Sequence, residues 1–375
     1  MTTNLLKLII LRSNFLTGLN SVEKSVGDNT NLPILKNILL SAEENKIILT
    51  STNLELAIKY RLSGKIITSG SITIPFSVLN TIIKNLNTER ITLEATPNSL
   101  IIQTDNYEAT IQGNNTEDFP VIPSIQNKKQ SIKINTKTFK EVLVKVSVAT
   151  QYSDIRPEIS GVLMVFKNKE LTFVATDGFR LAEIVFEKNE AESSFEDVSV
   201  IVPLKTTTEL LRILDEKESP SLEVFIDQNQ ILFQTESQYI ISRLIDGSFP
   251  EYHAIIPKQT KTELIVNRLE LVGALNLAKT FSGKTNDVAL KTSENKKVLE
   301  VFSADSSLGE NKYKIPIKLK GDPFTTTFNW KYILDGLKIY ESEDVVLQAN
   351  APDKPIVIRS QTTPHALYVV MPLKT

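Results

Sequence analysis

Arg12–Gly27 reads RSNFLTGLNSVEKSVG, Asn135–Gln151 reads NTKTFKEVLVKVSVATQ, and Asn267–Gly283 reads NRLELVGALNLAKTFSG. Each follows a short apolar run (LKLIIL, SIKIN, TELIV) whose pattern predicts a strand. Each then carries apolar residues at helical spacing: Phe15, Leu19, Val22 and Val26; Phe139, Val142, Leu143 and Val146; Leu269, Val272 and Leu275. The spacing predicts three amphipathic helices. Phe15, Phe139 and Leu269, 124 and 130 residues apart, are the expected equivalent anchors.

The segments that follow repeat as well. NKIILTSTNLELAIKY, KELTFVATDGFRLAEIVF and KVLEVFSADSSLGENKYKI each read as two strands around a polar turn, with Asn53, Asp177 and Asp305 in the same place. A second helix is expected in every copy: IPFSVLNTIIKNL, VPLKTTTELLRIL and FNWKYILDGLKIY. Pro75, Pro203 and Asn329 open these helices, and proline suits a helix start because its missing N–H has no partner there anyway. The copies close at FPVIP, FPEYHAIIP and YVVMP. The unit is therefore strand–helix–strands–helix–strands, about 125 residues long and present three times. The expected fold is α+β, with two helices packed on antiparallel sheet in each of three tandem domains, 1–127, 128–257 and 258–375. The joins fall in the polar stretches Ser124–Gln130 and Lys258–Lys261.

Composition narrows the chemistry. The 375 residues contain no cysteine, which removes disulfides, thiol nucleophiles and Cys-ligated metal. Only His253 and His365 are present, so a histidine-rich metal site is disfavoured, and both are read as surface or loop residues. No apolar run is long enough to span a bilayer, and no export signal is evident, so a cytoplasmic protein without membrane contact is expected. AKTFSGKT, Ala278–Thr285, fits a relaxed phosphate-loop pattern ending in Gly283, Lys284 and Thr285. It sits at the end of a predicted helix, where the carbonyl dipoles repel phosphate. ATDGFRLA, Ala175–Ala182, places Asp-Gly between two strands, which predicts a tight turn.

Charge is distributed unevenly. Lys and Arg total 42 against 44 Asp and Glu, a net charge of −2, yet the six predicted helical segments carry +7 and the rest −9. Lys24, Lys84, Lys140, Lys145, Lys205, Arg212, Lys279, Lys331 and Lys338 stand largely off the apolar stripes. Gathered on one concave side, they could meet a phosphate backbone without base readout.

LPILKNILL (Leu32–Leu40), STNLELAI (Ser51–Ile58), ATDGFRLA, LIDGSFPEY (Leu244–Tyr252) and the C-terminal YVVMPLK, in this order and spacing, resemble the β subunits of bacterial DNA polymerase III, the sliding-clamp family. The resemblance covers the whole chain. It implies a head-to-tail homodimer of six clamp domains closed into a ring around duplex DNA, with no catalysis and no cofactor or metal. It implies replicative polymerase, clamp loader and other proteins with a clamp-binding motif as partners, bound through a short hydrophobic peptide. The positions matching the family's peptide pocket are Ile159, Thr176, Gly178, Phe179, Arg180, Leu181, Pro250, Ile255, Asn329, Tyr332, Val369, Val370, Met371, Pro372 and Leu373. Val369 and Leu181 also suit plain strand core. Arg156 matches a family position near DNA. Ala254, Thr285, Asn29 and Phe179 depart from common family residues, respectively a basic residue, Phe, Arg and His. A dimer edge is expected at Tyr107, Ala109 and Ile111, paired with the third domain near Phe281. Rival readings are a nucleotide-binding enzyme using Gly283–Thr285 and a monomeric β-rich binding protein.

Overall fold

The computed structural model describes residues 6–373 except 44, 126, 127, 169, 187–190 and 218. Gln126 and Asn127 of the first join, and Lys374 and Thr375 of the tail, therefore lie outside the described residues.

Six α-helices occur among the described residues: α1 Arg12–Val22, α2 Phe76–Asn85, α3 Thr136–Ser147, α4 Leu204–Ile213, α5 Arg268–Ala278 and α6 Trp330–Leu337. The two-helix rhythm of the repeat is thus present three times. In α1, Phe15, Gly18, Leu19 and Val22 are buried, the i, i+3, i+4, i+7 stripe expected of a helix lying on a sheet. In α3, Phe139, Val142, Leu143 and Val146 are buried, with the Phe139 ring edge-on to Phe173 at 5.9 Å.

The third helix corrects one anchor. Leu269 is 64% exposed, and the buried residues of α5 are Leu271, Ala274, Leu275 and Ala278. Asn267 caps the helix by accepting the Glu270 N–H, which places Arg268 first and puts Leu271 where Phe15 and Phe139 stand. Leu269, Leu271, Val272, Leu275 and Leu277 are all apolar, so periodicity alone does not select the buried face.

The three expected turns are alike in detail. The side-chain oxygen of Asn53 accepts the N–H groups of Glu55 and Leu56, that of Asp177 accepts those of Phe179 and Arg180, and that of Asp305 accepts those of Ser307 and Leu308. Only Asn or Asp makes this local substitute for a backbone turn well, which is why one residue class recurs there.

Antiparallel pairs build the sheets, which run from one repeat into the next. Gln238–Arg243 of the second repeat pairs with Leu56–Leu62 of the first, with Ile241 opposite Ala57. Ala366–Val370 of the third pairs with Arg180–Val185 of the second, with Val369 opposite Leu181. These unions produce two compact units. One comprises Met1–Lys137, Glu192–Ser194 and Arg212–Leu244; the other comprises Thr138–Ala191, Phe195–Leu211 and Ile245–Thr375. The first unit holds a five-stranded and a nine-stranded sheet, and the second holds a twelve-stranded sheet.

In the second unit, α6 rests on Ala366–Val370 through Gly336. A Cβ at Gly336 would stand 2.3 Å from the ring of the fully buried Tyr368. Gly336→Ala should therefore destabilise the protein by about 1–3 kcal/mol through overpacking, although alanine favours helix. Chemical denaturation would check this, and an unchanged midpoint would mean that α6 is not seated so closely.

Candidate binding groove

The groove is built from the turn at Asp177. Besides the two N–H groups already named, Thr176 closes the turn by donating to the Arg180 carbonyl at 2.7 Å and accepting the Gly178 N–H at 3.1 Å. Gly178 has φ +88°, a conformation that glycine takes without strain. The turn thus projects Gly178 and Phe179 outward while turning Arg180 inward.

Arg180 is 7% exposed and is held by two carboxylates. Its Nε lies 2.9 Å from Asp177, and its Nη1 lies 2.6 Å from Asp335 on α6. Asp335 also accepts from Lys338 at 2.8 Å. The guanidinium carbon stands 4.5 Å from the centre of the Tyr332 ring, and Phe179 stacks on the same ring at 6.5 Å. Burial opposes the charge on Arg180, but Tyr368, Asp335 and Asp177 outweigh it and hold the guanidinium more firmly protonated than usual. Burial, reinforced by Asp177, pushes the Tyr332 hydroxyl up, so it stays neutral and can act as a hydrogen-bonding rim group.

The C-terminal tail crosses this turn. Met371 donates its N–H to the Phe179 carbonyl, and Leu373 donates to the Thr327 carbonyl, each at 2.8 Å. Pro372 between them has no N–H to offer. Beneath lies an apolar floor of Leu163, Val174, Leu181, Ile201, Val357, Leu367 and Val369, with Phe249, Tyr252 and Ile256 packed against it. Leu181 and Val369 are fully buried, so they belong to this floor and not to an open wall. Exposed apolar surface remains above: Phe179 is 60% and Ile255 40% exposed.

The expected pocket residues distribute as follows. Gly178, Phe179, Ile255 and Pro250 lie at or near the surface, Met371, Pro372 and Leu373 are half-buried, and Thr176, Ile159, Leu181, Val369 and Val370 are buried. Asn329 spends its side-chain oxygen capping α6 by accepting the Lys331 N–H. Sequence reasoning missed Asp335, which holds Arg180 from 155 residues away. The Arg156 guanidinium lies 3.6 Å from where a Gly178 side chain would begin. Arg156 thus stands on the rim of this groove, paired with Glu158 at 3.1 Å. Among the described residues, no group of three or more His, Asp or Glu could hold a metal ion.

The basic residues occupy helices or their short 3₁₀ extensions, except Arg156 and Lys338, the residue that ends α6. Lys84, Lys205, Arg212, Lys279, Lys331 and Lys338 are exposed. Lys24 and Lys145 approach Glu23 at 3.7 Å and Glu341 at 3.9 Å, while Lys338 is drawn into the Arg180–Asp335 network. Gly283–Thr285 form a turn beyond the C-terminal end of α5, where a Cβ at Gly283 would stand 2.9 Å from the Asp305 carboxylate. A helix C-terminus beside a carboxylate is hostile to phosphate.

Of the expected dimer residues, Tyr107 is exposed and Ala109 and Phe281 are half-exposed, but Ile111 is only 5% exposed. Ile111 points into the first unit's core, and Ala109 shares its strand face but is only partly covered. Glu108–Gln112 pairs on one side only and forms a sheet edge. In the second unit, Gly309–Lys320 pairs with Val298–Asp305 along most of its length, but with Thr262–Asn267 only from Ile317 to Lys320. Its first half therefore has a free edge, and the Phe281 ring lies 3.9 Å from where a Gly309 side chain would begin.

Three repeats of helices on antiparallel sheet, joined edge to edge, define a protein of the clamp fold. Family models of the DNA polymerase III β subunit match in succession: the N-terminal domain at 6–123, the central domain at 133–251 and the C-terminal domain at 253–374. The chain is 28% identical to the β sliding clamp of Synechococcus elongatus, covering 98% of this chain and 99% of that one. It is 26% identical to that of Staphylococcus aureus, covering 99% and 100%. The crystal structure of the Bacillus subtilis DNA polymerase sliding clamp superposes with a TM-score of 0.92 at 25% identity, covering 99% of each chain. A Pseudomonas aeruginosa sliding clamp bound to griselimycin does so with a TM-score of 0.91 at 25% identity, covering 99% of this chain and 100% of that one. The chain belongs to the DNA polymerase III β subunit family, the sliding clamps.

Proposed function

We propose that two copies of this chain close a ring around duplex DNA and tether the replicative polymerase, the clamp loader and other partners through short hydrophobic peptides. The observation that carries the peptide half is the groove at Gly178: a buried floor, an exposed aliphatic wall at Ile255 and an adaptable tail at Met371. The chain binds and positions and performs no chemistry of its own. The basic helix residues give weak, salt-sensitive contact with phosphates, while encirclement supplies the lasting attachment. Action on DNA in the cytoplasm agrees with this reading. Among the described residues no helix is long and apolar enough to cross a membrane.

The test is topological. Loaded clamp should persist on a closed circle and leave once the circle is linearised. Equal retention on both would end the encirclement reading. Lys140→Ala with Lys145→Ala should flatten the salt dependence of residual DNA contact and leave retention on circles unchanged.

The dimer joins two edges, Glu108–Gln112 of one protomer and the free first half of Gly309–Lys320 of its partner, with Tyr107, Ala109 and Phe281 packed beside them. Ladder bonds set register, and the apolar residues supply affinity. Charges at Ala109 and Phe281 should give folded monomers by light scattering, whereas a charge at Ile111 should damage the fold itself. A dimer that survives both surface charges would place the interface elsewhere.

A further inference from the structure

The repeat that builds the groove at Ile255 builds its counterpart in the first unit. Strand register makes the match residue by residue. Val357 stands opposite Val369, which faces Leu181; in the first unit, Leu232 stands opposite Ile241, which faces Ala57. Phe119–Ile125, FPVIPSI, then matches Phe249–Ile255, FPEYHAI. Ile122 takes the place of Tyr252, and each packs against its own apolar cluster. The last residues differ in fate. Ile255 is 40% exposed beside an open groove, whereas Ile125 is 4% exposed and forms a cluster with Phe225, Leu232 and Ile241.

Two further features close the first-unit groove. Phe225, opposite Leu232, supplies an aromatic wall where Gln348, opposite Val357, stands in the second unit. Lys128 then lies over the walls, its amino group 5.2 Å from the ring centres of both Phe225 and Tyr239 and 2.9 Å from the Gln234 side-chain oxygen. An aliphatic side chain seated in an apolar pocket on a sheet is how a bound peptide anchor would sit.

We propose that this groove is a second peptide site of the same aliphatic chemistry, kept shut in cis by Ile125, so that a chain with repeated domains presents one open groove. The proposal rests on reading the Ile255 groove as a peptide site. The probe is a fluorescent heptapeptide of residues 119–125, titrated into the full chain. Ile125→Ala should bind one more peptide per chain than the natural protein, and equal stoichiometry overturns the proposal. Failure of the Ile255 reading is separable, because it removes binding by the natural protein and leaves the additional site in the variant. Since the chain has no cysteine, a thiol pair tests the closed seat independently. Ile125→Cys should react with a maleimide at least ~10-fold more slowly than Ile255→Cys. Equal rates would show that Ile125 does not occupy the groove and would overturn the proposal even if Ile125→Ala fails to fold.

Discussion

Arg180→Ala should cost about 3–5 kcal/mol of stability, the scale expected when one partner of a buried ion pair is removed. Asp177 and Asp335 face Arg180 with side chains 8% and 13% exposed, and the variant leaves both without their main counter-charge. Lys338 partly compensates at Asp335, whereas Asp177 loses the guanidinium held 2.9 Å from it. Arg180→Lys should recover only part of the loss, because an ammonium cannot bridge two carboxylates and lie flat on Tyr332 as the planar guanidinium does. Asp335→Ala should approach the same loss by stranding Arg180. Urea denaturation of the three variants measures this, and a midpoint for Arg180→Ala near that of the natural chain would refute the buried-pair account. The network ties the Gly178 turn to α6, so peptide affinity should fall with stability.

What was legible in the sequence is what local chemistry dictates. Asn53, Asp177 and Asp305 mark their turns because the side chain itself closes each turn. Asn267 and Asn329 cap α5 and α6, and proline precedes α2 and α4 at Pro75 and Pro203. The repeat supplied the order of elements. Non-local partnerships were not legible. No pattern within residues 175–182 announces that Arg180 meets Asp335, and no strand states that Gln238–Arg243 adjoins Leu56–Leu62. Alternation placed Tyr107, Ala109 and Ile111 on one strand face, but only the fold determines that Ile111 ends in the core while Tyr107 remains exposed. Arg156 was read toward DNA from resemblance, and its nearness to Gly178 emerges only when two loops meet.

Removing residues 371–375 should separate binding from folding. The strand Ala366–Val370 remains, and with it Val369 and Val370 in the core. The loss to the fold is the pair of main-chain bonds from Met371 to Phe179 and from Leu373 to Thr327, at about 0.5–1.5 kcal/mol each. Burial sacrificed is small, since Met371, Pro372 and Leu373 are only half-buried. Binding loses more. Met371 pins the Phe179 carbonyl and so holds the tail against the turn, and its flexible thioether suits a surface that must adapt to different peptides. Affinity for a short hydrophobic clamp-binding peptide should therefore fall by at least ~2 kcal/mol, the loss expected for a central anchor. The melting temperature should drop slightly and the dimer should persist, because neither proposed dimer edge includes the tail. Fluorescence anisotropy beside thermal denaturation distinguishes the cases. Full affinity in the truncated chain would remove the tail from the site, and general unfolding would show that its two hydrogen bonds secure the whole second unit and not the groove alone.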